Sequence, residues 1–278
     1  METPDLTYQL NDLGGSIGYF ASELVLVGVF VVMILLELIW GKKNERIVPM
    51  AGMVGIIASL VVLAMGTAAP NSPLFLGMIR IDGLSLFFRY LFGGVGLLTL
   101  GISMTSTSLK NESKGRGEYY IVVVAMLLGM NLMSMASNLL MMYLALELVS
   151  ISSYVLTAYT RMNRSSAEAS LKYIIYGAFS SAIMIYGISW FYGLAGSLMP
   201  TEVVWSQVDP LLILVSISMI LAGFFFKVSA LPFHFWAPDV YEGAPYPVAA
   251  FFSIAPKAAG FAVMIHFLGA IADLNPFL

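Results

Sequence analysis

The chain has no cysteine and only two histidines. Without thiolates it cannot hold an iron–sulfur cluster or a cysteine-based zinc site, and it cannot close a disulfide. His234 and His266 stand far apart in sequence and neither belongs to a ligand motif, so no haem pair or metal centre is expected. Charge is equally sparse. Asp, Glu, Lys and Arg make up 10% of the residues, where an ordinary globular domain carries about 25%. The first 17 residues contain no Lys or Arg, so they lack the basic start of a secretory signal peptide.

What fills the space is apolar. Hydrophobic residues make up 59% of the chain and the mean hydropathy is +0.89, a composition that needs lipid as its solvent. Unpaired backbone groups are costly in hydrocarbon, so only helices or closed barrels cross it. The apolar runs here approach about 20 residues and do not alternate, which selects helices. Runs over residues 18–40, 47–69, 82–106, 119–137, 138–159, 168–196, 210–236 and 246–272 predict an all-α bundle of eight spans. Only Ala136, Ser137 and Asn138 separate the fourth from the fifth, so a tight hairpin is required there.

The loops predict orientation. Lys42, Lys43 and Arg46 follow the first span, Lys110, Lys114 and Arg116 the third, and Arg161 and Arg164 the fifth, while the intervening loops hold only Arg80. Basic residues favour the cytoplasmic side. The N-terminal segment, residues 1–17, is therefore expected outside, and the eighth span also ends outside.

Of the 13 positive residues, four remain, and all fall inside spans: Arg89, Lys172, Lys227 and Lys257. A charge at the bilayer centre costs roughly 2.5–3.5 kcal/mol even on the lenient insertion scale, so it faces a partner or a hydrated cavity. Glu147 belongs with them, because it lies midway along the fifth span, too far from either end to reach water. Helical spacing places Tyr143, Glu147, Ser150 and Tyr154 on one stripe, and Lys172, Tyr176 and Ser180 on another. Two polar stripes suggest a hydrated seam. A buried ion pair that merely fixes packing is the alternative. Against it, three lysines outnumber the single mid-membrane carboxylate, so they cannot all be paired with it. A lysine desolvated by burial can exchange its proton near neutral pH, whereas an arginine cannot.

The seventh span carries a second device. Pro232 follows Lys227 by five residues and Pro238 follows Pro232 by six, so the helix is expected to break or kink near Pro232. Broken membrane helices expose carbonyls and tolerate water; a simple packing kink is the alternative. Pro256 directly precedes Lys257. His234 would lie about two turns from Lys227 in a continuous helix and could bridge buried lysines through water, or it could be a satisfied core histidine. His266, on the face of the eighth span opposite Lys257, is assigned no role.

Glu23 and Arg89 stand at matching depths in the first and third spans, roughly 8–10 Å below the outer ends. They are expected to pair and to serve packing, since arginine stays protonated. The alternative is that both snorkel to the surface.

Four stretches, FKVSALPFHFWAPDVYEGAP, ALELVSISSYVL, LKYIIYGAFSSA and IDGLSLFFRY, resemble subunit N of respiratory complex I, the proton-pumping NADH:quinone oxidoreductase. The DVYEGAP ending resembles subunit N rather than its sister antiporter-like subunits or the multisubunit sodium/proton antiporters. The resemblance implies that Glu147 is the fifth-helix glutamate, Lys227 the lysine at the break, and Lys257 the eighth-helix lysine of a central hydrophilic axis. Lys172 and His234 fall on bridging positions. It also implies a fold of about fourteen helices with two inverted five-helix repeats, of which this sequence holds residues 18–106 and the first repeat, 119–272. The second repeat is expected to be missing from a truncated chain. The expected activity is proton translocation in a bacterial inner membrane, with no cofactor in this chain. NADH, FMN, iron–sulfur clusters and quinone are expected in partner subunits. Expected partners are the other complex I membrane subunits and the lipid bilayer, and no nucleic acid. A sodium/proton antiporter and a purely structural membrane subunit remain the competing classes.

Overall fold

The computed structural model describes residues 6–40, 45–66, 73–110, 116–160, 163–204 and 208–272. In chain order the helices are α1 (Leu6–Ile17), α2 (Ala21–Trp40), α3 (Ile47–Met65), α4 (Gly83–Thr105), α5 (Thr107–Lys110), α6 (Arg116–Met135), α7 (Leu139–Thr157), α8 (Arg164–Ala195), α9 (Pro210–Val228), α10 (Trp236–Gly243) and α11 (Tyr246–Ala272). Among the described residues eight helices are long and apolar enough to cross a membrane: α3, α4, α6, α7, α8, α9, α11 and the run ending in α2. The chain is thus an all-helical, polytopic bundle.

Polar residues cap the apolar runs where the sequence changes character. Asp82 accepts from the Ser85 N–H at 2.8 Å, and Ser85 Oγ accepts from the Asp82 N–H at 2.8 Å, closing a capping box at the start of α4. Asn138, Asn163 and Asp209 cap α7, α8 and α9 through their side-chain oxygens. Each satisfies an N–H that a helix start leaves open. Gly196 closes α8 at φ 72°, a left-handed position that suits glycine.

The expected hairpin between the fourth and fifth spans is present, with Asn138 as its last residue. It is stitched to the segment before α4 and to the segment after α8. Arg80 N–H donates to Met135 O at 2.7 Å, Ser137 N–H to Met78 O at 3.0 Å, and Leu139 N–H to Leu198 O at 3.0 Å. Isolated β-bridges join Leu74 to Ile79 and Ile79 to Ala136, and Gly77, at φ 85°, makes the turn between them.

The most buried span is α6, which packs against α2, α3, α4, α7 and α11. Its Met126, Met130 and Met133 are closed off from solvent. Lipid cannot drive helices together as water does, so contact depends on close fit. Gly260 of α11 illustrates it: a Cβ there would lie 2.7 Å from Val228 Cγ1 and 3.4 Å from Lys227 Cβ and Cγ of α9.

Several boundaries differ from the sequence expectation. Residues 6–17, read above as a plain N-terminal segment, form α1, because its polar residues Asn11, Asp12 and Ser16 hide a helix from an apolar-run count. The sixth span begins at Arg164, four residues before the expected 168. The seventh span ends at Val228, four residues ahead of Pro232. There Ser229 turns left-handed at φ 59°, and the chain resumes as α10 only at Trp236. Of the loop residues used for orientation, Lys42, Lys43, Lys114 and Arg161, and the side chain of Lys110, lie outside the described residues.

Candidate functional site

Lys227 occupies the last turn of α9, and its side chain is enclosed, with 1% exposure. Its Nζ donates to Ser150 Oγ of α7 at 3.2 Å. Glu147 stands one turn before Ser150 on the same stripe, but the two charges form no direct ion pair among the described residues. The Glu147 carboxylate instead accepts from Ser181 Oγ of α8, which also lies 3.3 Å from the Tyr143 hydroxyl. Tyr143, Glu147 and Ser150 therefore do line one stripe of α7, and its partners come from both α8 and α9. The ammonium rests on a neutral hydroxyl, with its carboxylate a step away.

The break after Val228 leaves helix-end carbonyls to be satisfied. Phe225 O accepts from Ala230 N–H at 2.8 Å and Phe226 O from Ser229 N–H at 3.2 Å. Phe226 O also accepts from the indole of Trp236 at 3.0 Å. His234 sits within the break, half-buried, its ring 4.4 Å from that of Phe235. Its Nδ1 is buried without a partner among the described residues.

The short helix α10 touches the other two lysines. Asp239 accepts from Lys172 Nζ at 2.7 Å, and Glu168 lies 2.9 Å from the same ammonium. Lys172 is therefore doubly paired, and the expectation of unpaired lysines holds only for Lys227 and Lys257. It stands eight residues into the 32-residue α8, near the α10 end of the bundle and away from Glu147. Tyr241 presents its ring 5.2 Å below Lys257 Nζ. Lys257 follows Pro256 within α11, and Gly260, one turn on, is the residue on which the Lys227 stem rests.

Glu23 and Arg89 lie elsewhere, between α2 and α4. Arg89 Nη2 meets Glu23 Oε2 at 2.6 Å and Nε meets Oε1 at 2.9 Å, with both side chains almost fully enclosed. Nη2 also donates to Ser22 Oγ at 2.9 Å, and Asn131 of α6 donates to Glu23 Oε1 at 3.3 Å. This fork-on-fork geometry saturates the carboxylate.

Sequence reasoning missed Trp236, Asp239 and Tyr241, because a helix of eight residues after a break has no apolar run to announce it. It also missed a tie between His266 Nε2 and Asp82 Oδ2 at 3.1 Å, which joins α11 to the start of α4. No spacing rule connects residues 184 apart. Asp82 lies just outside the membrane-spanning part of α4. Burial pushes its carboxyl up, but bonds from His266 and from the Ser85 N–H outweigh this and hold it at about 2. Among the described residues no cluster of His, Asp or Glu is arranged to hold a metal ion.

Residues 136–277 match the family described as NADH:quinone oxidoreductase/Mrp antiporter, TM. Among curated relatives, the NADH-quinone oxidoreductase subunit N of Chlorobium chlorochromatii is 40% identical over 260 residues, covering 92% of this chain and 51% of that protein. Subunit N 2 of Chloroherpeton thalassium is 42% identical over 253 residues, covering 89% and 49%. The chain thus spans about half the length of the curated relatives it matches. Among solved structures, a chain of respiratory complex I from Thermus thermophilus with bound aureothin superposes with a TM-score of 0.74 at 31% identity, over 88% of this chain and 52% of that one. An archaeal membrane-bound sulfane sulfur reductase shares the fold, with a TM-score of 0.77 at 21% identity, over 90% and 54%.

Proposed function

The chain belongs to the NADH:quinone oxidoreductase/Mrp antiporter transmembrane family, and on that premise we propose that it is an antiporter-like membrane-arm subunit of a proton-translocating NADH:quinone oxidoreductase. In this reading Glu147, Lys227, His234 and Lys257 carry protons, Lys172 marks the approach to them, and quinone reduction in partner subunits supplies the energy. Residues 119–272 are the first of two repeats, and the N-terminus faces outside in a bacterial inner membrane. NADH, FMN, iron–sulfur clusters and quinone belong to the partners.

The observation that carries this reading is Lys227, an enclosed ammonium at a helix break whose direct partner is a hydroxyl. A structural lysine would be held by a carboxylate at bonding distance. Here no carboxylate bonds the ammonium among the described residues, and Glu147 is engaged by Ser181 instead. When Glu147 is neutralised or drawn away, burial favours the neutral amine and the proton moves on. The Lys227 stem packs on Gly260, one turn from Lys257 in α11, so the onward step follows the contact between α9 and α11. His234 stands at the break with a buried, unbonded Nδ1, and is placed to join the lysines through water. Moving one charge against the membrane potential costs about 2.3 kcal/mol per 100 mV, so the driving force must come from redox chemistry outside this chain.

The test is proton pumping in the assembled complex carrying Glu147→Ala, beside Lys227→Ala with assembly followed on a blue-native gel. The expected result is an intact complex with a reduced proton-to-electron ratio. An unchanged ratio in Glu147→Ala sinks the relay, and loss of the complex in Lys227→Ala would favour a structural lysine. Ion transport in vesicles without NADH or quinone would instead favour the antiporter branch of the family.

A further inference from the structure

Residues of α10 contact the three helices that carry Lys172, Lys227 and Lys257. Asp239 holds Lys172 of α8, Tyr241 lies beneath Lys257 of α11, and Trp236 bonds to the end of α9. The last contact concerns the peptide carbonyl directly before Lys227. Without the indole, Phe226 O keeps only the 3.2 Å bond from Ser229, itself in a left-handed turn. Trp236 is 2% exposed, and its ring stacks on that of Tyr173 with centroids 4.3 Å apart and planes at 17°. Tyr173, itself enclosed, also packs against Phe226. The indole N–H is therefore aimed at Phe226 O by a ring sandwich set by α8, not by the loop it spans.

We propose that Trp236 is a positioning residue for Lys227: its indole bond to Phe226 O fixes the end of α9 so that the Lys227 ammonium meets Ser150 and stays within the field of Glu147. The inference rests on the reading of Lys227 as a proton carrier. A side chain of four methylenes swings widely if its Cα is free to move, and the last turn of a helix is where fraying begins. The indole bond removes that freedom at the residue where charge placement matters. Because the same helix holds Asp239 and Tyr241, a displacement of α10 reaches Lys172, Lys227 and Lys257 together. The titratable groups on the elements around Lys227 include Tyr143, Glu147 and Tyr154 of α7, Lys172, Tyr173 and Tyr176 of α8, His234 in the break, Asp239 and Tyr241 of α10, and Lys257 and His266 of α11. A shifted Lys227 changes its balance with these.

The test uses the assembled complex with Trp236→Phe, which keeps an aromatic ring against Tyr173 but loses the donor together with the pyrrole ring, and Trp236→His, which is smaller still but keeps a ring N–H. Lys227→Ala is measured in parallel. We expect Trp236→Phe to assemble normally, to pump about 10-fold more slowly, which is about 1.4 kcal/mol of barrier, and to show a displaced pH profile of pumping. Trp236→His should recover part of the rate. Wild-type pumping in Trp236→Phe, a lower rate with an unmoved pH profile, or failure of both variants to assemble would each overturn the positioning role. Normal pumping in Lys227→Ala would instead remove the proton-carrier reading, so the two failures are told apart.

Discussion

Among the described residues the bundle holds two arrangements of charge, one fully enclosed and one only partly so, and they are built to opposite rules. Between α2 and α4, Arg89 and Glu23 meet through two direct bonds, with Ser22 and Asn131 filling further valences. Between α7, α9 and α11, Lys227 touches a serine, Lys257 a tyrosine ring, and Glu147 a third residue's hydroxyl. The first uses a cation that cannot lose its proton and saturates its carboxylate; the second uses cations that can and leaves their carboxylate at a distance. A saturated pair has one low-energy arrangement and suits packing. An unsaturated set has several close arrangements and suits transfer.

The sharpest way to break this comparison is to unbalance the saturated pair. Arg89→Ala leaves Glu23 buried and uncompensated, and should cost about 3–5 kcal/mol, seen as lost assembly or a large fall in thermal midpoint. The double variant Arg89→Met with Glu23→Leu should recover most of that loss, because it removes both charges. If the double variant pumps poorly while folding well, the pair is not purely structural and the contrast fails.

The reciprocal experiment gives the unsaturated site a permanent charge. Lys227→Arg keeps the cation and abolishes its proton exchange, so pumping should fall about 100-fold while the complex stays intact on a native gel. Next in size is the contact that sets the spacing of α9 and α11. Gly260→Ala places a methyl 2.7 Å from Val228 Cγ1, and overpacking of this kind costs about 1–3 kcal/mol. Thermal unfolding in detergent would register it, and a wild-type midpoint would mean the two helices separate without penalty.

The smallest expected effect lies at the tie between α4 and α11. The Asp82 carboxyl is held at about 2, below its ordinary value near 3.9. A depressed carboxyl adds stability above the ordinary value and loses it as pH falls through the folded one. Wild type should therefore unfold at a higher temperature than Asp82→Asn at about pH 6, and the gap should narrow as pH falls from about 4 toward 2. A gap independent of pH would show that the cap, not the charge, matters.

Much of this was legible in advance. Eight spans follow from run length because the bilayer sets a minimum that few other constraints blur. Glu23 and Arg89 could be matched because two charges at equal depth in neighbouring helices have few other places to go. The break was legible only in kind. Pro232 announces it, but the helix stops earlier, at Ser229, where the backbone turns left-handed. Lys172 was read as a charge inside the membrane because it falls within the apolar run, but it lies in the third turn of α8 and reaches Asp239 and Glu168. The contacts of α10 were invisible because they depend on where a chain lands after leaving its helix, which no periodicity encodes.

One end of the bundle has a mechanical meaning. Where α4, α6, α7 and the segment after α8 come together, backbone atoms bond to one another across chain segments, through Arg80, Ser137 and Leu139. Peptide groups joined in this way stretch little, so that end should resist flexing more than the end that α10 crosses. The amide hydrogens of Arg80 and Ser137, which lie outside the helices, and that of Leu139, the first residue of α7, should accordingly exchange slowly with deuterium for their positions.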